Sequence, residues 1–217
     1  GSDDWSHLQQ AALVAQGHLL DAFRLRIDIY LGAGQAALRQ VSTLLWGLDL
    51  ALWGVDPRAF HRTNLGLHLL LSAGTWALAR QWGARALPAA LAAALFGLQA
   101  ETAETIWFLA ARSEQLALLF GLALVGLWPR LRSSPGGAAL AGLLWGLALF
   151  SKTTAAWVPL VLLARDVVEL PAGERLRPGA LLRRGWGFAL AALAYGAAVL
   201  LLLDVDTTLS YGPAGDG

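Results

Sequence analysis

Six long apolar stretches, separated by polar segments, dominate the chain after residue 63. They cover residues 64–79, 86–100, 115–129, 137–150, 154–164 and 186–203. The hydrocarbon core of a bilayer is ~30 Å thick and takes about 20 helical residues, a length that the last stretch meets unaided. The other five reach it with flanking Trp, Thr, Gln and Ser residues, as helices inside a bundle can. The pattern therefore predicts an all-α, polytopic transmembrane bundle of about six spanning helices.

Two more helices are predicted before the first apolar stretch. Apolar residues recur near helical spacing in residues 3–23, which predicts an amphipathic helix. Residues 40–54 form a second apolar segment, in which Asp49 favours an outer or re-entrant helix at the membrane interface over a span. The chain thus divides into an extracytoplasmic loop with amphipathic helices, a transmembrane bundle and an outer tail, which take residues 1–63, 64–203 and 204–217.

Positive charge collects at every second junction between the apolar stretches. One side of the predicted bundle holds nine arginines and three carboxylates, a net charge of +6, and the other holds seven cations and twelve carboxylates, a net charge of −5. Arginine-rich loops face the cytoplasm, so both ends of the chain are predicted to face outward. An outward-facing start leads us to expect a further transmembrane helix upstream of residue 1.

The composition agrees with a membrane protein. Apolar residues make up 57% of the chain and charged residues 14%, where soluble domains average roughly 45–50% and 25%. A soluble helical domain with a large core is the alternative, but it does not explain why the arginines segregate by side. Cysteine is absent, which excludes disulfides, thiolate zinc sites and cysteine nucleophiles from this chain.

Polar groups at the predicted outer boundary are the candidates for chemistry, and Asp3-Asp4 is the first of them. Two acids at the start of a helix can cap it, because their carboxylates accept hydrogen bonds from its free N–H groups and favour its dipole. One of them could instead be a general base held above the membrane. The pair by itself leaves both interpretations open.

His61, Asn64 and His68 form the second candidate group. Their spacings of three and four residues place them on one face of a helix. His61 and His68 would lie about 10 Å apart along its axis, too far to bind one metal ion without further ligands. Hydrogen bonds between helices are therefore favoured over a metal site.

Charged residues beside the apolar stretches form the third group. Glu101 and Glu104 are spaced by one helical turn, and Arg112 follows two turns later. Ionisable groups next to spanning helices are costly and usually line a cavity or pair with one another. Lys152 lies in a short polar segment between two apolar stretches, where a lysine ordinarily extends to lipid head groups.

In chain order, these segments resemble the membrane part of GT-C glycosyltransferases, close to the protein O-mannosyltransferases and their tetratricopeptide-bearing relatives. The matching residues are Asp3-Asp4, Arg39, Gly54, Pro57, Phe60-His61, Asn64, His68, Phe96, Glu104, Arg112-Ser113-Glu114, Ser151-Lys152 and Pro159. Three positions depart from the family pattern: Gln40 replaces a proline, Gln99-Ala100 replaces His-Pro, and Thr153 replaces a glutamate. The resemblance covers about residues 3–165.

The resemblance implies a GT-C-like helical bundle that transfers a sugar, with inversion, from a polyprenyl-phosphate carrier to a hydroxyl of a protein or glycan. The active side would be extracytoplasmic, and membrane lipid would surround the bundle. The implied roles are Asp3 and Asp4 for catalysis, Arg112, Lys152 and Arg39 for the donor phosphate, and His61, Asn64, His68 and Glu104 for substrate binding. No cofactor is implied with certainty, and a divalent cation stays open. No nucleic-acid partner is implied, and no glycine-rich phosphate loop follows a strand.

Two other functions stay open at this point. A transporter or flippase for lipid-linked sugars also has polar residues at helix boundaries, although these commonly lie near the bilayer midplane on broken helices. A noncatalytic homologue that binds a lipid-linked sugar would also explain the departures at Gln99-Ala100 and Thr153.

Single introduced cysteines test the predicted orientation. Gly83→Cys and Ser133→Cys should be shielded from an impermeant thiol reagent in intact cells, because both lie on the arginine-rich side. Asp56→Cys and Thr102→Cys should react, and the native chain adds no background because it has no cysteine. Labelling of the first two with protection of the second two would reverse the orientation.

Overall fold

A computed structural model describes residues 2–19, 38–171 and 177–202, and within them it contains nine α-helices and no strand. In chain order the helices are α1 (Ser2–Ala15), α2 (Gln40–Trp53), α3 (Pro57–Gln81), α4 (Ala86–Leu98), α5 (Ala100–Trp107), α6 (Arg112–Leu131), α7 (Pro135–Ser151), α8 (Val158–Glu169) and α9 (Pro178–Leu202). Short 3₁₀ turns, Leu109–Ala111 and Thr153–Trp157, precede α6 and α8. The predicted all-α class is confirmed.

Each of the six apolar stretches coincides with a helix, namely α3, α4, α6, α7, α8 or α9. Among the described residues, two segments are both long and apolar enough to cross a membrane, Leu109–Leu131 and Pro178–Leu201. Helices α4 and α7 are apolar but have 13 and 17 residues, and the first turns of α3 carry several polar side chains. The helices are thus the predicted ones, and two of them meet the criteria for a span.

The two helices predicted before the apolar stretches are also present. Helix α1 ends at Ala15, earlier than the predicted boundary at residue 23, and residues 20–23 lie outside the described part of the chain. Helix α2 matches its prediction closely. The two pack together through Ala11 and Trp46, both buried, and Phe60 of α3 completes this small cluster.

Helix starts and ends follow local chemistry. The Asp56 carboxylate accepts a hydrogen bond from the Arg58 N–H (2.9 Å), and Pro57 occupies the first turn of α3, where its missing N–H costs nothing. Ser134 caps α7 in the same way, with its hydroxyl accepting from the Gly137 N–H (3.0 Å). After α3 the chain turns at Gly83, whose φ of 89° favours glycine.

Helix α6 lies at the centre, because it packs against both α3 and α7. Its buried residues Leu124 and Trp128 meet Ala141 and Trp145 of α7, and Leu162 of α8 completes the main core.

Helix α9 packs on the other side of α7 at a very close crossing. A Cβ atom on Gly142 would overlap the backbone of Gly187, and one on Gly187 would overlap the carbonyl of Ala138. The two backbones are thus in direct contact, an arrangement that small residues permit between apolar helices.

At one end of the bundle, arginines and acids from several helices share a network. The buried Asp166 carboxylate accepts hydrogen bonds from Trp128 Nε1 (2.8 Å), Arg132 Nη1 (2.7 Å) and Arg184 Nη1 (3.2 Å). Arg132 also contacts Glu169 (3.2 Å). These contacts join the end of α6 to α8 and to the start of α9, and they bring together Arg132 and Arg184, two of the nine arginines that the sequence assigns to one side.

The α7–α9 crossing generates a stability prediction. Gly142→Leu and Gly187→Leu should each lower the free energy of unfolding by about 1–3 kcal/mol, at the upper end of this range because the obstructing atoms are backbone and cannot rotate away. Gly196→Leu, also on α9, is the matched control, since a Cβ there meets open space. Thermal unfolding in detergent, followed by tryptophan fluorescence, measures the difference. Equal unfolding temperatures for all three variants would contradict the close crossing.

Candidate functional site

A buried guanidinium joins three helices at the opposite end of α6 from the Asp166 network. The Arg112 side chain has no exposed surface. Its Nη1 forms an ion pair with Asp49 Oδ2 of α2 (2.7 Å), and its Nε donates to Asn64 Oδ1 of α3 (2.7 Å). Its Nη2 donates to the Phe60 carbonyl (3.0 Å), and the guanidinium lies 5.8 Å from the Phe60 ring centre.

Asp49, the acid of this pair, is 4% exposed and accepts a hydrogen bond in addition to the ion pair. The Thr63 hydroxyl donates to its Oδ1 (2.9 Å). Removal of one partner from such a pair leaves the other charge buried and unpaired, which costs more than the pair itself contributes. The contact between α2, α3 and the start of α6 therefore depends on both charges.

The polar face of α3 binds carbonyl groups at the ends of two short helices. Asn64 Nδ2 donates to the Thr105 carbonyl (3.2 Å), and His61 Nδ1 donates to the Ile106 carbonyl (3.1 Å). His68 Nε2 donates to the Gly97 carbonyl (2.9 Å). These three carbonyls belong to the last turns of α5 and α4, where a helix has no N–H groups of its own to offer.

The predicted hydrogen bonds between helices are therefore present, and each acceptor fixes which nitrogen carries the proton, Nδ1 in His61 and Nε2 in His68. Aromatic contacts support both rings, since His61 lies 5.7 Å from Trp107 and His68 stacks on Phe96 at 6.1 Å between ring centres. Gln115 adds a further link, because its Nε2 donates to the Thr105 hydroxyl (2.8 Å).

Lys152 lies directly after α7 and forms an ion pair with Glu114 in the first turn of α6. Both side chains are partly exposed, Lys152 to 24% and Glu114 to 52%. They line one groove of about 500 Å³, which continues along apolar residues of α6 and α8 such as Leu118, Val125 and Val161. We call it the lysine groove.

The remaining predicted site residues lie in or directly before α1, α2 and α5. Arg39 precedes α2, and its carbonyl accepts from the Ser42 hydroxyl (2.8 Å). Glu104 is exposed on α5. Asp3 and Asp4 fall in the first turn of α1, where a capping acid is favoured, but their side chains lie outside the described part of the structure.

The structure thus brings Arg112, Asn64, His61 and His68 into one cluster and leaves Lys152 outside it. Arg112 was predicted to contact the donor phosphate, but here its donors are used inside the protein and no surface is open to a ligand. Asp49, its partner, was not among the predicted site residues. An acid in an apolar helix needs a partner, and this signal could have paired it with an arginine.

No family model matches the chain, and neither the curated proteins nor the solved structures contain a significant match to it.

The buried pair generates the second stability prediction. Arg112→Ala and Asp49→Ala should each lower the free energy of unfolding by about 3–5 kcal/mol, because each leaves an uncompensated buried charge. The double variant should lose less than the sum of the two losses. Arg58→Ala, an exposed change on α3, is the control and should stay within about 0.5 kcal/mol of the parent. Additive losses would mean that the two charges do not interact.

Proposed function

We propose that this chain is the membrane part of a GT-C-type glycosyltransferase. It transfers a sugar from a polyprenyl-phosphate carrier to an acceptor hydroxyl on the extracytoplasmic side, and about six of its helices cross the membrane. The observation that carries the proposal is the lysine groove, an apolar channel along the helices with a cation at one end.

Exposed apolar side chains support a membrane environment. On α4, Leu87, Leu95 and Leu98 are 70–83% exposed. Helix α9 has the length of a span, and only 17% of its most apolar window is buried within the protein. Soluble monomers rarely expose apolar patches of this extent, whereas lipid chains cover them without cost.

The lysine groove has the shape that a lipid-linked donor requires. Its volume of about 500 Å³ lies within the range of ligand sites. Between Glu114 and Val125 the groove follows α6 for about 16 Å at a rise of 1.5 Å per residue. A polyprenyl chain would lie along the apolar part, and its phosphate would meet Lys152, which binds phosphate as a point charge.

The ion pair of Lys152 with Glu114 is suited to exchange. A partly exposed pair contributes only about 0–1 kcal/mol, so a donor phosphate can replace the Glu114 carboxylate at little cost. Arg112 then acts indirectly, because its buried contacts fix the first turn of α6, two residues before Glu114.

The transfer step needs a base and a cation. The acceptor oxygen attacks the anomeric carbon, its proton passes to the Asp3 carboxylate, and the bond between the sugar and the phosphate oxygen breaks with its electrons moving to the phosphate. Lys152 stabilises the charge that develops there. Helix α1, which carries Asp3 in its first turn, packs on α2 and on the turn that precedes α6, and this packing supports the assignment of the base to α1.

Helix starts also agree with the resemblance. The family pattern has prolines where this chain has Gln40 and Ala100, and these are the first residues of α2 and α5. Proline is favoured at the first position of a helix, where its missing N–H and fixed φ are harmless. Pro57 and Pro159, which the chain keeps, also lie in first turns. All four positions are therefore compatible with the family pattern.

The direct test measures sugar transfer from a radiolabelled polyprenyl-phosphate donor by the full-length protein in liposomes. Lys152→Ala should lower turnover about 10²–10³-fold, by analogy with the loss of one group that stabilises a developing anion. Lys152→Arg should keep a large part of the activity. Arg183→Ala removes an exposed cation at the other end of the bundle and is the matched control. Equal activity of the Lys152→Ala and Arg183→Ala variants would remove the phosphate role.

The base is tested in the same assay. Asp3→Asn should lower turnover by about 10²–10⁴-fold without lowering the unfolding temperature, because asparagine caps a helix as well as aspartate but accepts no proton. Near-normal transfer by Asp3→Asn, Asp4→Asn and the double variant would exclude both aspartates as the base. Donor binding without any transfer by the parent protein would favour a flippase or a noncatalytic binder.

A further inference from the structure

A second apolar groove, of about 430 Å³, lies between α3 and α6 and shares Leu78 and Leu122 with the lysine groove. Its charged residue lies at the other end of α6 from the ion pair of the lysine groove. Arg130 lines it near the C-terminus of α6, sixteen residues and about 24 Å beyond Glu114. We call it the arginine groove.

We infer that the arginine groove binds an anionic phospholipid, with the lipid phosphate at Arg130 and one acyl chain along the apolar walls of α3 and α6. The inference rests on the membrane placement proposed above and is independent of the transferase activity.

The first supporting observation is that Arg130 is exposed and unneutralised. No ion pair joins it to an acid in the described part of the chain. The two described acids at this end, Asp166 and Glu169, already contact Arg132, Arg165 and Arg184. An additional anion is therefore the natural partner for Arg130.

The second observation is that this end of the bundle has a large excess of positive charge. Its described segments carry eight arginines and only the two acids just named. Each such cation near an anionic membrane surface contributes about 1 kcal/mol of attraction. The local field thus favours an anionic head group over a zwitterionic one.

The third observation concerns the walls. Leu119, Ala123 and Leu127 of α6 face the groove, together with small residues of α3. Gln81 crosses between the helices, where its Nε2 donates to the Gly126 carbonyl (2.8 Å) and satisfies the polar backbone near the charged end. A free phosphate would gain nothing from the apolar walls, whereas a phospholipid uses both parts of the groove.

Native mass spectrometry of the full-length protein in detergent tests the site, with phosphatidylglycerol and phosphatidylcholine of identical acyl chains as probes. The parent should retain phosphatidylglycerol preferentially. Arg130→Gln should weaken this retention about fivefold to tenfold, which corresponds to the loss of one cation. Arg183→Gln is the matched control, because it removes an exposed arginine at the same end but outside the groove. Equal effects of the two changes would reduce the site to diffuse surface charge and overturn the inference.

Two further arms identify the ligand. Ala123→Phe fills the groove and should release the bound lipid, whereas Ala90→Phe on the exposed face of α4 should not. Glycerophosphoglycerol, which is phosphatidylglycerol without its two acyl chains, should not compete, and competition by it would show a phosphate site instead of a lipid site. Preferential phosphatidylglycerol binding by a protein without transfer activity would keep this inference and overturn the transferase. Sugar transfer with no preference between the two lipids would do the reverse.

Discussion

The buried ion pair of Arg112 and Asp49 is the constraint on which the rest of this end of the molecule depends. The two opposite charges are almost fully buried and pair with each other, while Asn64 and the Phe60 carbonyl accept hydrogen bonds from Nε and Nη2 of the guanidinium. Three helices are thereby fixed in register. The first turn of α6, the groove that starts there and the α1–α2 pair all take their positions from this contact.

The polar face of α3 provides hydrogen-bond donors for the ends of the short helices α4 and α5. Where a helix ends in apolar surroundings, its last carbonyl groups have no N–H partner and water cannot reach them. His61, Asn64 and His68 donate to these carbonyls at the ends of α4 and α5. Their regular spacing on α3 therefore reflects the backbone of neighbouring helices, and this structural role explains the spacing without a ligand.

Much of the architecture could be predicted from the sequence because it is encoded locally. The apolar runs predicted the helices, and the spacing of His61, Asn64 and His68 indicated their common face. Asp49 in an apolar helix indicates that it needs a cationic partner, but which arginine supplies it could not be predicted, because nothing local relates Asp49 to Arg112 in another helix. The burial of Arg112 changes its expected role for the same reason, since exposure depends on packing among several elements. The two grooves are likewise products of packing.

The division between α4 and α5 has a consequence for the lipid around the protein. Together the two helices have about the length of a span, but Gln99 between them adopts an extended conformation. Helix α4 therefore ends after 13 residues, which is a length of about 20 Å. A bilayer core of ~30 Å does not match so short a helix, and it adapts by local thinning at a cost of a fraction of a kcal/mol per Å. In the proposed membrane setting, the side of the bundle formed by α4 is therefore shorter than the bilayer core, and lipids with short acyl chains match that side best.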